Sequence, residues 1–269
     1  TDDGNAAVPV TATIHGTHAS LVAGTPALAT SETRNDQITL GVKTTNHTAA
    51  QINLLKAKTG ISTVTLVGGV GIADTIDNLI STANHTSAQT ALSNALSATV
   101  AAPITLSGFG SAGSLTIRDD NDIKALNALA GFAEAPITAT ITDTSGTYLL
   151  AGGGATQLDL TGSGSSSDDV ITIKFTSFTV GGNNVAEIED LIGTAGVSSI
   201  SPSASNQTVT LSASEAKQIG DLTDSSNKLA LNFTLSGAAS FVQAAALIGN
   251  TSGTVVLNSA GINDDIANF

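Results

Sequence analysis

The sequence predicts a mixed α/β repeat, a β-rich solenoid-like array of short strands with short Ala-rich helices on one side. Three observations predict it. The first is internal copying. Gly71-Ile72-x-Asp74-x-Ile76-x-Asn78-Leu79 returns 190 positions later as Gly261-Ile262-x-Asp264-x-Ile266-x-Asn268-Phe269. Val67-Gly68-Gly69 through Leu79-Ile80 returns as Val180-Gly181-Gly182 through Leu191-Ile192, and Asn46-His47-Thr48-Ala49-Ala50-Gln51 as Asn84-His85-Thr86-Ser87-Ala88-Gln89. Degenerate copies mark stacked units, each of which buries its apolar face against its neighbours. The second is an alternation of Thr/Val/Ile/Leu runs with Ala-rich stretches along the chain. The third is the core chemistry: no Trp, no Met, one Tyr and seven Phe in a chain that is 41% hydrophobic. Such an interior is built from Ala, Val, Ile and Leu, which suit narrow repeated layers.

Taken in order, the β-prone runs predict strands at 10–14, 37–42, 62–67, 103–106, 114–117, 137–142, 170–175, 208–211, 229–235 and 254–257. Thr208-Val209-Thr210-Leu211 shows the pattern, one face apolar and the other a Thr ladder. Between them, apolar residues three and four apart predict helices at 49–58, 72–82, 87–98, 120–130, 185–193, 212–222 and 238–248. Ser212-x-x-Glu215 has capping-box spacing, and Gly193, Gly220 and Gly249 stand where helices stop. Strand–helix alternation also marks doubly wound sheets. Here the helices are short, the apolar runs weak, and neither Gly108-x-Gly110 nor Gly152-Gly153-Gly154 is a phosphate loop. A solenoid fits better, with sandwich-like α/β packing as the alternative. The offsets between copies are uneven, so the layers are degenerate and carry inserted loops.

The chain divides into a β-prone N-terminal arm or cap (1–31), an N-terminal repeat half (32–150), a Gly/Ser-rich linker or loops (151–169) and a C-terminal repeat half (170–269). Nine Lys plus Arg against 22 Asp plus Glu give a net charge of −13, which opposes nucleic acid and anionic membranes as partners. No apolar run approaches the ~18 residues of a membrane span. The absence of Cys excludes disulfides, thiolate metal sites and Cys nucleophiles. The chain begins at Thr1, which reads as a targeting segment absent or already removed.

From Val185 onwards the succession Val185-Ala186-Glu187-Ile188-Glu189-Asp190-Leu191, Val197-Ser198-Ser199-Ile200, then Thr208-Val209-Thr210-Leu211-Ser212-Ala213-Ser214-Glu215-Ala216 carries a family rhythm. It resembles the long repetitive extracellular proteins of bacteria, of the surface-layer, adhesin and matrix type. That resemblance implies a secreted or cell-surface, prokaryotic protein exported by a one-step route, without catalytic residues. The Gly- and Asp-rich calcium nonapeptides that often accompany this family are absent from the sequence.

Candidate sites are few. Asp119, Asp120 and Asp122 are hard oxygen ligands of the kind Ca²⁺ takes, set against the ordinary role of Asp at a helix start. His15-Gly16-Thr17-His18 lacks a third metal ligand, and His47 and His85 read as turn residues of equivalent units. Five Asn-x-Ser/Thr sequons occur about as often as chance gives in a chain that is about one quarter Ser and Thr. No Ser lies in a nucleophile elbow, and the aromatic platforms that sugar-cleaving clefts favour are missing. The expected function is therefore non-enzymatic: an extracellular structural protein that self-assembles head-to-tail into a filament, sheath or surface layer. Val8, Val10, Ile14 and Leu21 of the arm and Ile262, Ile266 and Phe269 of the last copy are the candidate assembly residues. An adhesin or stalk is the alternative, meeting glycan or another surface through Thr faces such as Thr138-x-Thr140-x-Thr142-x-Thr144.

Overall fold

The computed structural model describes residues 11–24, 37–58, 60–81, 85, 87–99, 102–110, 113–144, 146–150, 157–161, 169–176, 184–202, 208–221, 229–257 and 261–263. It is a mixed α/β structure whose sheets are parallel. The first sheet holds β1 (Thr11–Gly16), β2 (Gln37–Val42) and β3 (Ile61–Leu66). The second holds β4 (Ile72–Thr75), β5 (Ile104–Gly108), β6 (Ile137–Asp143), β7 (Val170–Phe175) and β8 (Val197–Pro202). The third holds β9 (Thr208–Leu211), β10 (Asn232–Leu235) and β11 (Val255–Leu257). Within each sheet the strands lie in sequence order, without the reversal that marks a doubly wound sheet.

Parallel neighbours need a crossover, and the helices supply most of them. Helix α1 (His18–Gly24) follows β1, and α2 (Ala49–Lys56) follows β2. The single turn α3 (Ile76–Leu79) and then α4 (Thr90–Thr99) lead from β4 to β5, and α5 (Asp120–Phe132) leads to β6. Further on, α6 (Asn184–Gly193) precedes β8, α7 (Ala213–Gly220) precedes β10 and α8 (Phe241–Gly249) precedes β11. These helices pack beside one another in order, α1 on α2, α2 on α4, α6 on α7 and α7 on α8. Three of them open with the same device. Thr48, Ser212 and Ser240 each accept the backbone N–H three residues on, and Gln51, Glu215 and Gln243 reach back to the cap. Each box satisfies two of the donors that a helix start leaves open.

Isolated parallel bridges link the three sheets. His47 pairs with Ile72 and Ile200 with Leu229, and Ser252 N–H donates to Leu229 O at 2.9 Å. Alternation puts one face inside: Ile141, Ile173 and Ile200 line up across β6, β7 and β8, all fully buried. Among the described residues Phe109, Phe175 and Phe233 are the bulkiest fully buried side chains. Among the described residues no helix is long and apolar enough to cross a membrane.

The structure departs from the sequence expectations in several places. Residues 72–82 are not one helix. Ile72 N–H donates to Pro103 O at 2.8 Å and Ala73 N–H to His47 O at 2.9 Å, so ladder bonds make β4, and the helical spacing of Ile72, Ile76 and Leu79 serves a strand plus one turn. Residues 114–117 form only isolated bridges, Phe109 with Ser114 and Thr116 with Thr142. His47 and His85 are not equivalent. The first lies in a parallel bridge beside the Thr48 cap, whereas His85 has φ +52° in the turn that returns to the antiparallel bridge of Ile80 with Ala88. At its described start the copy 190 residues apart is structural, since Ile262 bridges to Ala239 as Ile72 does to His47; 264–269 lie outside the described residues.

The described part of the arm, 11–24, is the first layer of the molecule, with β1 on β2 and α1 on α2. Within 151–169, Leu158 and Leu160 are buried, so 157–161 is laid onto the core. Asn127 Nδ2 donates to Gln157 O at 2.8 Å and Gln157 Nε2 to Asp190 Oδ2 at 3.0 Å, tying α5 to α6 through this segment.

Candidate functional site

Sparse charge is used inside the molecule. Asp119 caps α5 by accepting from Asn121 N–H at 2.8 Å, and Asp120 lies in the first turn. Asp122 is buried, accepts from Arg118 N–H at 2.7 Å and holds the Arg118 guanidinium at 2.6 Å. The same guanidinium reaches Asp77 at 3.0 Å, and Tyr148 O–H donates to Arg118 O at 2.7 Å. Hydrogen bonds to Asp122 and then to Asp77 hold the Arg118 pKa above its usual value. The three candidate calcium carboxylates are thus a cap, a first-turn acid and half of an ion pair. Among the described residues no three His, Asp or Glu side chains converge as a metal would need. A cleft of about 410 Å³ beside them is lined by Asp77, His85, Arg118, Asp119 and Asn121, and a second of about 460 Å³ by Leu149, Leu158, Glu187, Glu189 and Asp190.

Two buried carboxylates that sequence reasoning missed clamp turns. Asp143 is 0% exposed and accepts from the N–H groups of Thr147, Tyr148 and Leu149 at 3.1, 2.9 and 2.8 Å. Asp74 accepts from Ala49 N–H at 3.2 Å, Thr75 N–H at 2.9 Å and Asn78 Nδ2 at 2.8 Å, closing β4 onto the start of α2. The available signals were the turn residues after Asp143 and the copying of Asp74 as Asp264.

His18 and His47 lie together, their ring centroids 5.5 Å apart and tilted by 32°. His18 Nε2 stands 3.2 Å from Gln51 O. Burial, then the neighbouring His18 charge, pushes the His47 pKa below 6.5. His15 projects over Gly41 in the register of β1 and β2, where a Cβ would collide with its ring.

The Thr face of β6 is real in part. Thr138 and Thr140 are exposed, and Thr140, Thr172 and Ser199 align across β6, β7 and β8 as a row of hydroxyls. The row through Thr105 and Thr138 ends on Val170, an exposed apolar side chain.

The ends of the ladder differ from its middle. Ile14 stands in register with fully buried Leu40 and Val64, yet is 39% exposed. Leu257 stands in register with fully buried Leu211 and Leu235, yet is 38% exposed. Among the described residues no strand pairs with the outer edge of β1 or of β11. Phe241, Val242, Ile248 and Val256 are exposed on the same last layer as Leu257, while Ile262 is half-buried. Leu21 lies in the core at 3% exposure, because α1 turns it inward onto its own chain. Val8, Val10, Ile266 and Phe269 lie outside the described residues. Compared with protein-family models, curated proteins and solved structures, the chain matches none of them.

Proposed function

We propose that this is a solenoid-like, non-catalytic structural protein that self-assembles end to end, at the outside of a prokaryotic cell, into a filament, sheath or surface layer. One observation carries the reading: in the first and the last sheet a core-facing row runs out to a side chain left more than a third exposed, Ile14 and Leu257. Solenoids that work as monomers close such rows with polar capping layers. Addition of one copy to another hides both rows and both strand edges at once. The Ser/Thr-rich composition without Cys or Met, and the resemblance to bacterial surface proteins, support the location. Sedimentation velocity and negative-stain microscopy over a concentration series test it: polymers that grow with concentration are expected, and a monodisperse monomer throughout sinks it.

A second reading rests on the hydroxyl row of exposed Thr140 and half-buried Thr172 and Ser199, which suits contact with glycan or another polar surface. A glycan array distinguishes it; no binding returns that face to the ordinary strand preference of Thr.

A further inference from the structure

We infer that His18 and His47 form an acid-operated latch: charging the pair releases β1 and α1 from a molecule that otherwise stays folded. The latch belongs to the single chain and works whether or not copies assemble.

Both rings stand at helix starts. His18 is the first residue of α1, and His47 immediately precedes Thr48, the cap of α2. Their centroids are 5.5 Å apart, so the pair spans the seam between the first layer and the next. A helix start is the electropositive end, where a positive side chain is disfavoured. The backbone of His47 is pinned: its N–H donates to Gly71 O at 3.0 Å and its C=O accepts from Ala73 N–H at 2.9 Å. Its side chain is 6% exposed, and Nε2 is buried without a hydrogen-bond partner. The doubly protonated ring puts a donor on that nitrogen with nothing to receive it and a second imidazole beside it. The bridge itself needs no imidazole, since the matching Ala239, 2% exposed, makes the same bridge with Ile262.

No counter-charge answers the pair among the described residues. On β1, His15 lies over Gly41, on the outward face by alternation. Lys43 is exposed after β2, Lys56 Nζ donates to Ser62 O, and Lys58 Nζ donates to Val22 O at 2.9 Å. The carboxylates of the next layer are engaged elsewhere: Asp74 with Ala49 N–H, Thr75 N–H and Asn78 Nδ2, and Asp77 with Arg118. β3, α4 and β5 carry no charged side chain. Burial, then the His18 charge, holds the His47 pKa below 6.5 against the opposing contacts of Gln51 and Lys43. The latch is therefore closed above pH 6.5 and strains as the pH falls below it.

The first layer is the part that can give way. Leu21 is its one large buried side chain among the described residues, and Ile14 is 39% exposed. β1 pairs only with β2, whereas β2 also pairs with β3 and buries Ile38, Leu40 and Val42. Segments with so few buried contacts open locally at a small fraction of the cost of global unfolding.

Hydrogen exchange resolved by segment, at pH 7 and pH 5 and corrected for intrinsic rate, tests the latch. Protection in 11–24 is expected to fall reversibly by at least about tenfold, with a smaller fall in β2–β4 and none in β10–β11. His18→Gln keeps a donor for Gln51 O without the charge, and His47→Ala installs the residue of the last layer. Each should keep 11–24 protected at pH 5 and leave protection at pH 7 unchanged, while His15→Gln should retain the full response. An unmoved 11–24, an equal loss throughout the chain, or an undiminished response in both His18→Gln and His47→Ala overturns the latch. If His47→Ala does not fold at pH 7, His18→Gln alone decides.

Discussion

The layers β2–α2–β3 and β10–α8–β11 are two versions of one design, and they differ mainly in what lies beyond them. Both run a strand into a parallel bridge, His47 with Ile72 and Ala239 with Ile262, and both open the next helix with a capping box. The N-terminal version is flanked on both sides. α1 packs on α2, and Asn53 Nδ2 donates to Ala91 O of α4 at 2.7 Å. Among the described residues the C-terminal version meets a helix on one side, where Asn250 Nδ2 donates to Ile219 O of α7 at 3.2 Å. Local sequence sets the shape of a layer, and its neighbours set how much of it is buried. Ala49 is fully buried in the first version, while Phe241 at the matching position stands out in the second.

The largest effects should fall equally on both versions at Leu40 and Phe233, because these two positions are equally buried. Leu40→Ala and Phe233→Ala each empty a fully buried position and should cost about 2–5 kcal/mol in denaturant unfolding. A much smaller loss at Phe233 would show that the C-terminal layer is loosely packed, and would break the equivalence.

Asp74→Ala comes next. It removes one acceptor from three donors and leaves the Ala49 N–H without its partner in a buried setting. A loss of about 1–3 kcal/mol is expected, with faster amide exchange in α2 and β4 than in α8.

Acid should separate the two versions. His47 is held below its ordinary pKa of 6.5, so the folded chain prefers it neutral while the unfolded chain takes up a proton at 6.5. Stability is therefore complete above pH 6.5 and falls as pH drops from there towards the folded-state value, by at most about 1.4 kcal/mol per pH unit for this one proton. The matching residue in the other version is Ala239. Amide exchange between pH 7 and 5 should rise in β2–β4 and hold steady in β10–β11, and His47→Asn should remove the difference.

The capping boxes give a smaller and uniform effect. Thr48→Ala, Ser212→Ala and Ser240→Ala should each cost about 1 kcal/mol, measured by thermal unfolding. Unequal losses would show that one helix start is held by tertiary contacts instead.

The Ser212 box was legible in the sequence, as were β2, β7 and β9 with their bounds, because strand alternation and cap spacing are local chemistry; the Thr48 and Ser240 boxes, with Gln as their third residue on, were not singled out. β4 was not, because Ile72, Ile76 and Leu79 repeat at helical spacing and only ladder bonds from His47 and to Pro103 make the first of them a strand. The Asp143 clamp was hidden for a related reason: a carboxylate becomes buried only where three N–H groups converge on it, and convergence is a property of the folded turn. Of the two exposed row ends, Ile14 was singled out from its place in a β-prone arm. Leu257 was not, since nothing in Val255-Val256-Leu257 distinguishes an inward row that ends from one that continues.

The smallest expected effect sharpens the comparison most. Leu257→Ala removes a side chain that is in line with the core but 38% exposed. In dilute solution it should change stability by less than ~1 kcal/mol, because the lost methylenes were already partly in water. Leu235→Ala, one rung inward in the same row and fully buried, should cost at least twice that. The ratio between neighbouring rungs measures how open the row is in a single copy. Repeating the pair at concentrations where copies associate should bring the two losses together, since a second copy would bury Leu257 as β11 buries Leu235. If the ratio stays unchanged while the chain polymerises, Leu257 remains at the water surface in the polymer, and the copies meet elsewhere.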